Sequence, residues 1–299
     1  MKFTISPTGP LDVAGTLARY SVWGEDPANR VGDGVFRRVL HHDGRHWPWE
    51  ARWRGPVDDV RIDVTVPGAR DARIADAVRA EVDRVFGLPF DLPGFYRFAK
   101  SDRVLAALVE PLYGLRPSLA ATGLEMIVGS ICAQQVNLSF AFACRARLVT
   151  TYGTRIDDEL YAFPDAAMLA RTRVSDLRAL KFSTRKAEYI RDLGRAVSSG
   201  ALDLAALGRA PDAAVIEAIT GLRGLGLWTA EWYMARCLGR GDVCPAGDLG
   251  VRRAFERYYG RGRTLSEDAV RRRARPWGPY RNLGVHYLLA GLRLGLGAA

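Results

Sequence analysis

Apolar positions change period near residue 90. Before it they come in short extended runs at 3–5, 17–23, 34–41, 47–53 and 60–66, separated by Gly, Pro, Asp and Asn, as strands broken by turns are. In the last run Arg61-Ile62-Asp63-Val64-Thr65-Val66 alternates polar and apolar residues, which predicts a half-buried strand. Ile74, Val78, Val82 and Val85 then recur at spacings of three and four. That is the stripe of an amphipathic helix over 71–86, ended by Gly87, Pro89 and Pro93. Together these elements predict an N-terminal α+β domain over residues 1–90, an antiparallel sheet with a helix packed on it.

From Pro93 onward the period is helical. Val104, Leu105, Leu108 and Val109 open a series of segments at 101–112, 121–133, 138–152, 165–171, 175–180, 184–199, 212–221, 228–239, 249–259, 266–275 and 280–293, punctuated by proline and glycine. No strand-like run of comparable strength follows residue 95. The second region, 91–299, is therefore expected to be all-helical, and the fold class is α+β.

Composition narrows the partner. The 43 basic and 33 acidic residues give a net charge of +10 and a pI near 9.7, which favours a polyanion. The excess is arginine, since only Lys2, Lys100, Lys181 and Lys186 are lysines, so coding bias is a second source of the charge and its distribution must decide. With 48% hydrophobic and 25% charged residues, disorder, collagen and coiled coil are excluded for the whole chain. The uncharged run 126–144 carries Gln134, Gln135 and Asn137, which argues against a membrane span. No apolar run follows Lys2, so no secretory signal is expected and the reading is cytoplasmic, nucleoid-associated in a bacterium. Cys132, Cys144, Cys237 and Cys244 form no CxxC pair; reduced thiols are expected and an iron–sulfur cluster is not.

The most informative string is Leu222-Arg223-Gly224-Leu225-Gly226-Leu227-Trp228-Thr229-Ala230, between two amphipathic patterns. Glycines one residue apart permit a tight turn with positive φ, and the helix after it would offer free N–H groups of its first turn to phosphate. A plain hairpin between two helices fits the glycines equally well. Farther on, Gly239-Arg240-Gly241-Asp242-Val243-Cys244-Pro245-Ala246-Gly247-Asp248 brings an aspartate to the start of the pattern Val251, Phe255, Tyr259, where it caps a helix. Capping favours the carboxylate form. A fixed anion stabilises the oxocarbenium character that develops at C1′ when a base–sugar bond breaks, and it can orient water.

The hairpin over 219–230 with the aspartate loop over 240–248 resembles the helix-hairpin-helix DNA glycosylase superfamily, and in particular its DNA-3-methyladenine glycosylase II (AlkA-type) branch. The likeness extends to Phe163-Pro164, Leu180-Lys181, Arg185-Lys186-Ala187-Glu188, Arg275-Pro276-Trp277-Gly278-Pro279-Tyr280 and Ile131-Cys132-Ala133-Gln134-Gln135-Val136. The resemblance implies a DNA-base N-glycosylase that flips a damaged, alkylated purine from double-stranded DNA and leaves an abasic site in base excision repair. A glycosylase for oxidised or deaminated bases and a non-catalytic damage-binding protein are the alternatives.

By the same resemblance Asp248 is catalytic; Trp228, Trp232, His286 and Leu249 form the base pocket; and Gln135, with Gln134 beside it, fills the vacated stack. Gly224, Gly226, Thr229, Arg223 and Arg252 hold phosphate, and a structural Na+ or K+ sits on the main-chain carbonyls of Thr220, Leu222 and Leu225. Lys181, Arg185, Lys186, Arg236 and Arg253 are further candidates for phosphate contact. No cofactor is required for the chemistry, and a monomer without a membrane partner is expected. Trp228 stands where lyase-active relatives carry lysine, which implies hydrolysis without lyase activity. Arg223 replaces a proline, Leu249 a tyrosine and His286 approximately a tryptophan of the branch, so the pocket is less aromatic.

Overall fold

The computed structural model describes residues 1–297. A five-stranded antiparallel sheet of β1 (Lys2–Ile5), β2 (Asn29–Gly32), β3 (Val35–His42), β4 (Arg45–Arg54) and β5 (Arg61–Thr65) has the order β1-β5-β4-β3-β2. Phe36, Ala51, Val64 and Phe3 stand in one cross-strand row. The helix Ala72–Val85, capped by the Asp71 carboxylate on the Arg73 N–H, places Ile74, Val78, Val82 and Val85 in the same core. Full burial of each such side chain contributes about 1.5–3 kcal/mol.

Two expectations fail in this region. The run 17–23 is not a strand: Asp12 caps a helix Val13–Leu17 through the Gly15 N–H at 3.0 Å, and Ala18–Tyr20 continue it as a 3-10 turn. The local cap and burial of Leu17 and Tyr20 outweigh the β-leaning residue types. The helix Leu92–Ala99 is an addition to the expected segments, which begin at 101: Pro93, read as ending the preceding helix, fits the first turn of this one, where no N–H bond is lost, and Asp91 caps it.

The helical segments follow the sequence reading closely, with Thr122, Asn137, Ser183 and Ser266 as N-caps. Leu204–Leu207 is an additional short helix, and Thr154–Arg155 pairs with Tyr161–Ala162 as a two-residue ribbon in the region expected to be all-helical. Its Leu160 and Ala162 pack on Val39 of the sheet.

The helices form two cores. One runs from Ile127 to Val243 in sequence; the other combines residues 90–119 with Cys244 through Ala290. Trp232 packs against both, which puts the seam between the cores at the residues of interest. Fully buried Arg116 ties the N-terminal region to the start of the second core, donating to the carbonyls of Thr8, Pro10, Gly87, Leu88 and Phe90. No helix among the described residues is long and apolar enough to cross a membrane.

Candidate active site

Asp248 caps the helix Leu249–Tyr259: its Oδ1 accepts from the Val251 N–H at 3.0 Å. Its Oδ2 accepts from two indoles, Trp228 Nε1 at 2.7 Å and Trp232 Nε1 at 3.2 Å. Trp228 and Trp232 are four apart on the helix Leu227–Arg236, so both rings leave one face. The loop before Asp248 is held from behind. Asn282 N and Arg281 Nη1 donate to the carbonyls of Gly241 and Asp242, and Arg271, paired with buried Glu231 at 2.7 Å, reaches the Cys244 carbonyl. A carboxylate with three N–H donors and a braced loop is preorganised rather than flexible.

Asp248, Trp228, Trp232 and His286 line a cavity of about 690 Å³, within the ~300–1,000 Å³ typical of small-ligand pockets. Leu249 does not line it; the helix turns that side chain outward, where it is 54% exposed. The sequence reading missed several walls. Tyr20 and Trp23 come from the N-terminal region, Leu138 and Phe142 from the helix Leu138–Tyr152, and Arg236 from the floor. Arg236 is buried and so is not a phosphate clamp. Its place four residues after Trp232 was the available signal. Burial and Arg236 hold the His286 imidazole well below its usual range, so it is neutral.

The hairpin sits at the head of the same helix. Gly224 has φ +86°, and the N–H groups of Gly224 and Gly226 make no bond within the chain among the described residues. Arg223 pairs with Glu188 at 2.5 Å and lies 3.8 Å from Asp192 and over Tyr189, in an ion pair that leaves its side chain 64% exposed. Thr229 is 1% exposed, so its hydroxyl offers nothing to a strand outside. Arg252 is half-buried and Arg253 exposed beside Asp248, while Lys181 and Arg185 are exposed. Lys186 donates to the Cys132 carbonyl at 2.8 Å. The carbonyls of Thr220 and Leu225 accept no bond within the chain among the described residues, whereas that of Leu222 accepts from Leu225 N at 3.1 Å. Free carbonyl oxygens suit a hard monovalent cation.

Gln135 is exposed at φ +55°, a conformation uncommon outside glycine, in the loop between the helices Gly123–Ala133 and Leu138–Tyr152. Gln134 does not share its exposure; its Nε2 donates to the Gly224 carbonyl at 2.8 Å and braces the loop on the hairpin.

The sequence pattern of the HhH-GPD superfamily of base excision DNA repair proteins matches residues 128–279. The chain belongs to that superfamily. Among HhH-GPD relatives, it is 28% identical over 206 residues to a DNA-3-methyladenine glycosylase of Bacillus subtilis, 68% of each chain. It is also 28% identical over 177 residues to DNA-3-methyladenine glycosylase 2 of Escherichia coli, 58% of this chain and 60% of that one. A 3-methyladenine DNA-glycosylase structure from Archaeoglobus fulgidus superposes with a TM-score of 0.86 over 98% of both chains, at 28% identity.

In this HhH-GPD hairpin, a Cβ on Gly224 would lie 2.2 Å from the Tyr189 ring. Gly224→Ala is therefore expected to cost about 1–3 kcal/mol and to weaken duplex binding. Thermal unfolding and fluorescence anisotropy with a labelled duplex check both.

Proposed function

We propose that the protein is a monofunctional DNA-base N-glycosylase that flips a damaged purine, of the alkylated class that its relatives' names indicate, and hydrolyses its N-glycosidic bond to leave an abasic site. The observation that carries this reading is the Asp248 carboxylate, braced by two indoles and a helix N-terminus at the wall of a cavity large enough for a base. A flipped nucleotide with its base in the cavity brings C1′ to this anion, which stabilises the sugar cation and orients the attacking water. Asp248 serves the sugar side of the bond whether the leaving base is a ring-alkylated cation or a neutral adduct.

The hairpin amides of Gly224 and Gly226 hold the backbone of double-stranded DNA, and Gln135, presented by the loop that Gln134 braces, enters the gap in the stack. A monovalent cation on the Thr220 and Leu225 carbonyls would supply positive charge toward phosphate when bound. The chemistry itself uses no cofactor, and the site of action is wherever the cell's DNA lies, the nucleoid in a bacterium.

No lysine lines the cavity among the described residues, and the position nearest Asp248 is the Trp228 indole, which cannot form a Schiff base. Duplexes carrying single defined lesions test the reading: base release by mass spectrometry is expected, with strand nicking only after alkali. Rapid nicking without alkali contradicts the monofunctional assignment, and binding with no release from any lesion contradicts catalysis.

A further inference from the structure

The charges around the cavity are sorted. Among its carboxylates, Asp26 and Glu125 are ion-paired to Arg145, and Glu125 also to Arg38, so their charge is neutralised within the wall. Asp248 has no arginine or lysine within 4.0 Å among the described residues; it faces neutral N–H groups only. The arginines divide the same way. Arg145 is paired as above, while Arg19, Arg236 and Arg293 have no carboxylate within 4.0 Å among the described residues, and of these three only Arg236 is buried. Its guanidinium donates to Asn282 Oδ1 and lies 3.4 Å from His286 Nδ1 and 5.2 Å from the centroid of the Trp232 ring.

Burial and the neighbouring Arg19 push Arg236 down to about 9, which leaves it protonated at neutral pH. The neutral His286 ring, its Nδ1 3.4 Å from the guanidinium, brings no balancing charge. A buried guanidinium without an anion is expensive, and a bound group that accepts from it offsets that cost. Trp232 spans the two charges, its Nε1 on the Asp248 carboxylate and its face toward the Arg236 guanidinium.

This polarity matches one kind of leaving base. When a neutral purine departs, the electron pair of the C1′–N9 bond leaves with it, so positive charge grows at the sugar and negative charge on the base. Asp248 faces the first and Arg236 the second. Water then forms the new C1′–O bond, and the proton it releases neutralises the purine anion. A ring-alkylated base instead enters as a cation and leaves neutral, so the guanidinium opposes its entry, and its departure only recovers that repulsion, whereas a neutral base enters without penalty and is stabilised as it leaves.

We propose, resting on the glycosylase reading above, that Arg236 determines base specificity and that the cavity selects neutral modified purines bearing a carbonyl or imine acceptor over cationic ring-alkylated ones. The guanidinium donors suit the O6 and N7 edge of a 6-oxopurine or the acceptor nitrogens of an exocyclic etheno adduct.

Single-turnover release from matched duplexes containing hypoxanthine, 1,N6-ethenoadenine or 7-methylguanine, each divided by its spontaneous rate, tests this. In the wild type the enhancement is expected to be greater for both neutral bases, by about 10-fold or more. Arg236→Met, close in volume and uncharged, is expected to lower the neutral enhancements by about 10²-fold and to raise that for 7-methylguanine; Arg236→Lys restores part of the neutral preference. A larger enhancement for 7-methylguanine in the wild type overturns the proposal whether or not the methionine variant folds. So does an equal loss on all three lesions in a variant of unchanged melting temperature. Release of none of the three by the wild type overturns the glycosylase reading itself, and the proposal with it.

Discussion

Asp248→Asn is expected to reduce base release by about 10²–10³-fold, the usual consequence of removing one preorganised electrostatic group, while duplex binding through the hairpin is retained. The size of the effect follows from the isolation of the carboxylate: no second unpaired acid lines the cavity among the described residues. Asparagine keeps the volume but offers one acceptor oxygen where aspartate offers two. If its oxygen turns to Trp228 and Trp232, its NH2 group faces the Val251 N–H, and the helix cap is lost at about 1 kcal/mol. A small fall in melting temperature therefore accompanies a large fall in rate, and calorimetry beside single-turnover release separates them.

Arg38→Met is expected to destabilise the fold by about 3–5 kcal/mol, because it strands two buried carboxylates. Arg38 is 3% exposed; it bonds Glu81 at 3.3 Å on the helix that covers the sheet, Asn29 at 2.7 Å on β2, and both oxygens of Glu125. Burial raises the Glu125 carboxyl, but Arg38 and Arg145 outweigh it and hold the group below its ordinary value, so its contribution is present above the unfolded value and lost as pH falls through the folded one. Glu81 is raised, burial outweighing Arg38, and acts in the opposite sense. Without Arg38 burial prevails at both, both folded values lie above the unfolded ones, and the variant gains stability as pH falls through them. Urea unfolding at about pH 7.5 and 5 is expected to show the gap to wild type narrowing at the lower pH; a gap that widens contradicts this account of the network.

What the sequence disclosed was local. The alternation in 61–66 and the three-four stripe of Ile74 to Val85 became β5 and its covering helix, because burial of one face dictates both periods. Asp248 and the i,i+4 indoles were visible because a cap and a helical face are short-range facts. The remaining walls were not, since Tyr20 and Trp23 reach the cavity only through the packing of the N-terminal region on the helices. Arg236 looked like any surface arginine of a basic protein, although its position put it on the face of the two tryptophans. The Thr229 hydroxyl was misread for the same reason, since the helical core that buries it is invisible in the local string, as is the pairing of Arg223 with Glu188.

A duplex holding a pyrrolidine in place of one sugar, protonated where C1′ would carry positive charge, tests most directly whether Asp248 steadies a sugar cation. Its affinity is to be compared with that of the same duplex holding a neutral tetrahydrofuran. The wild-type protein is expected to prefer the charged analogue by about 10²-fold, and Asp248→Asn is expected to abolish the preference. Equal affinity of the wild type for the two duplexes, or a preference that survives the asparagine substitution, contradicts it.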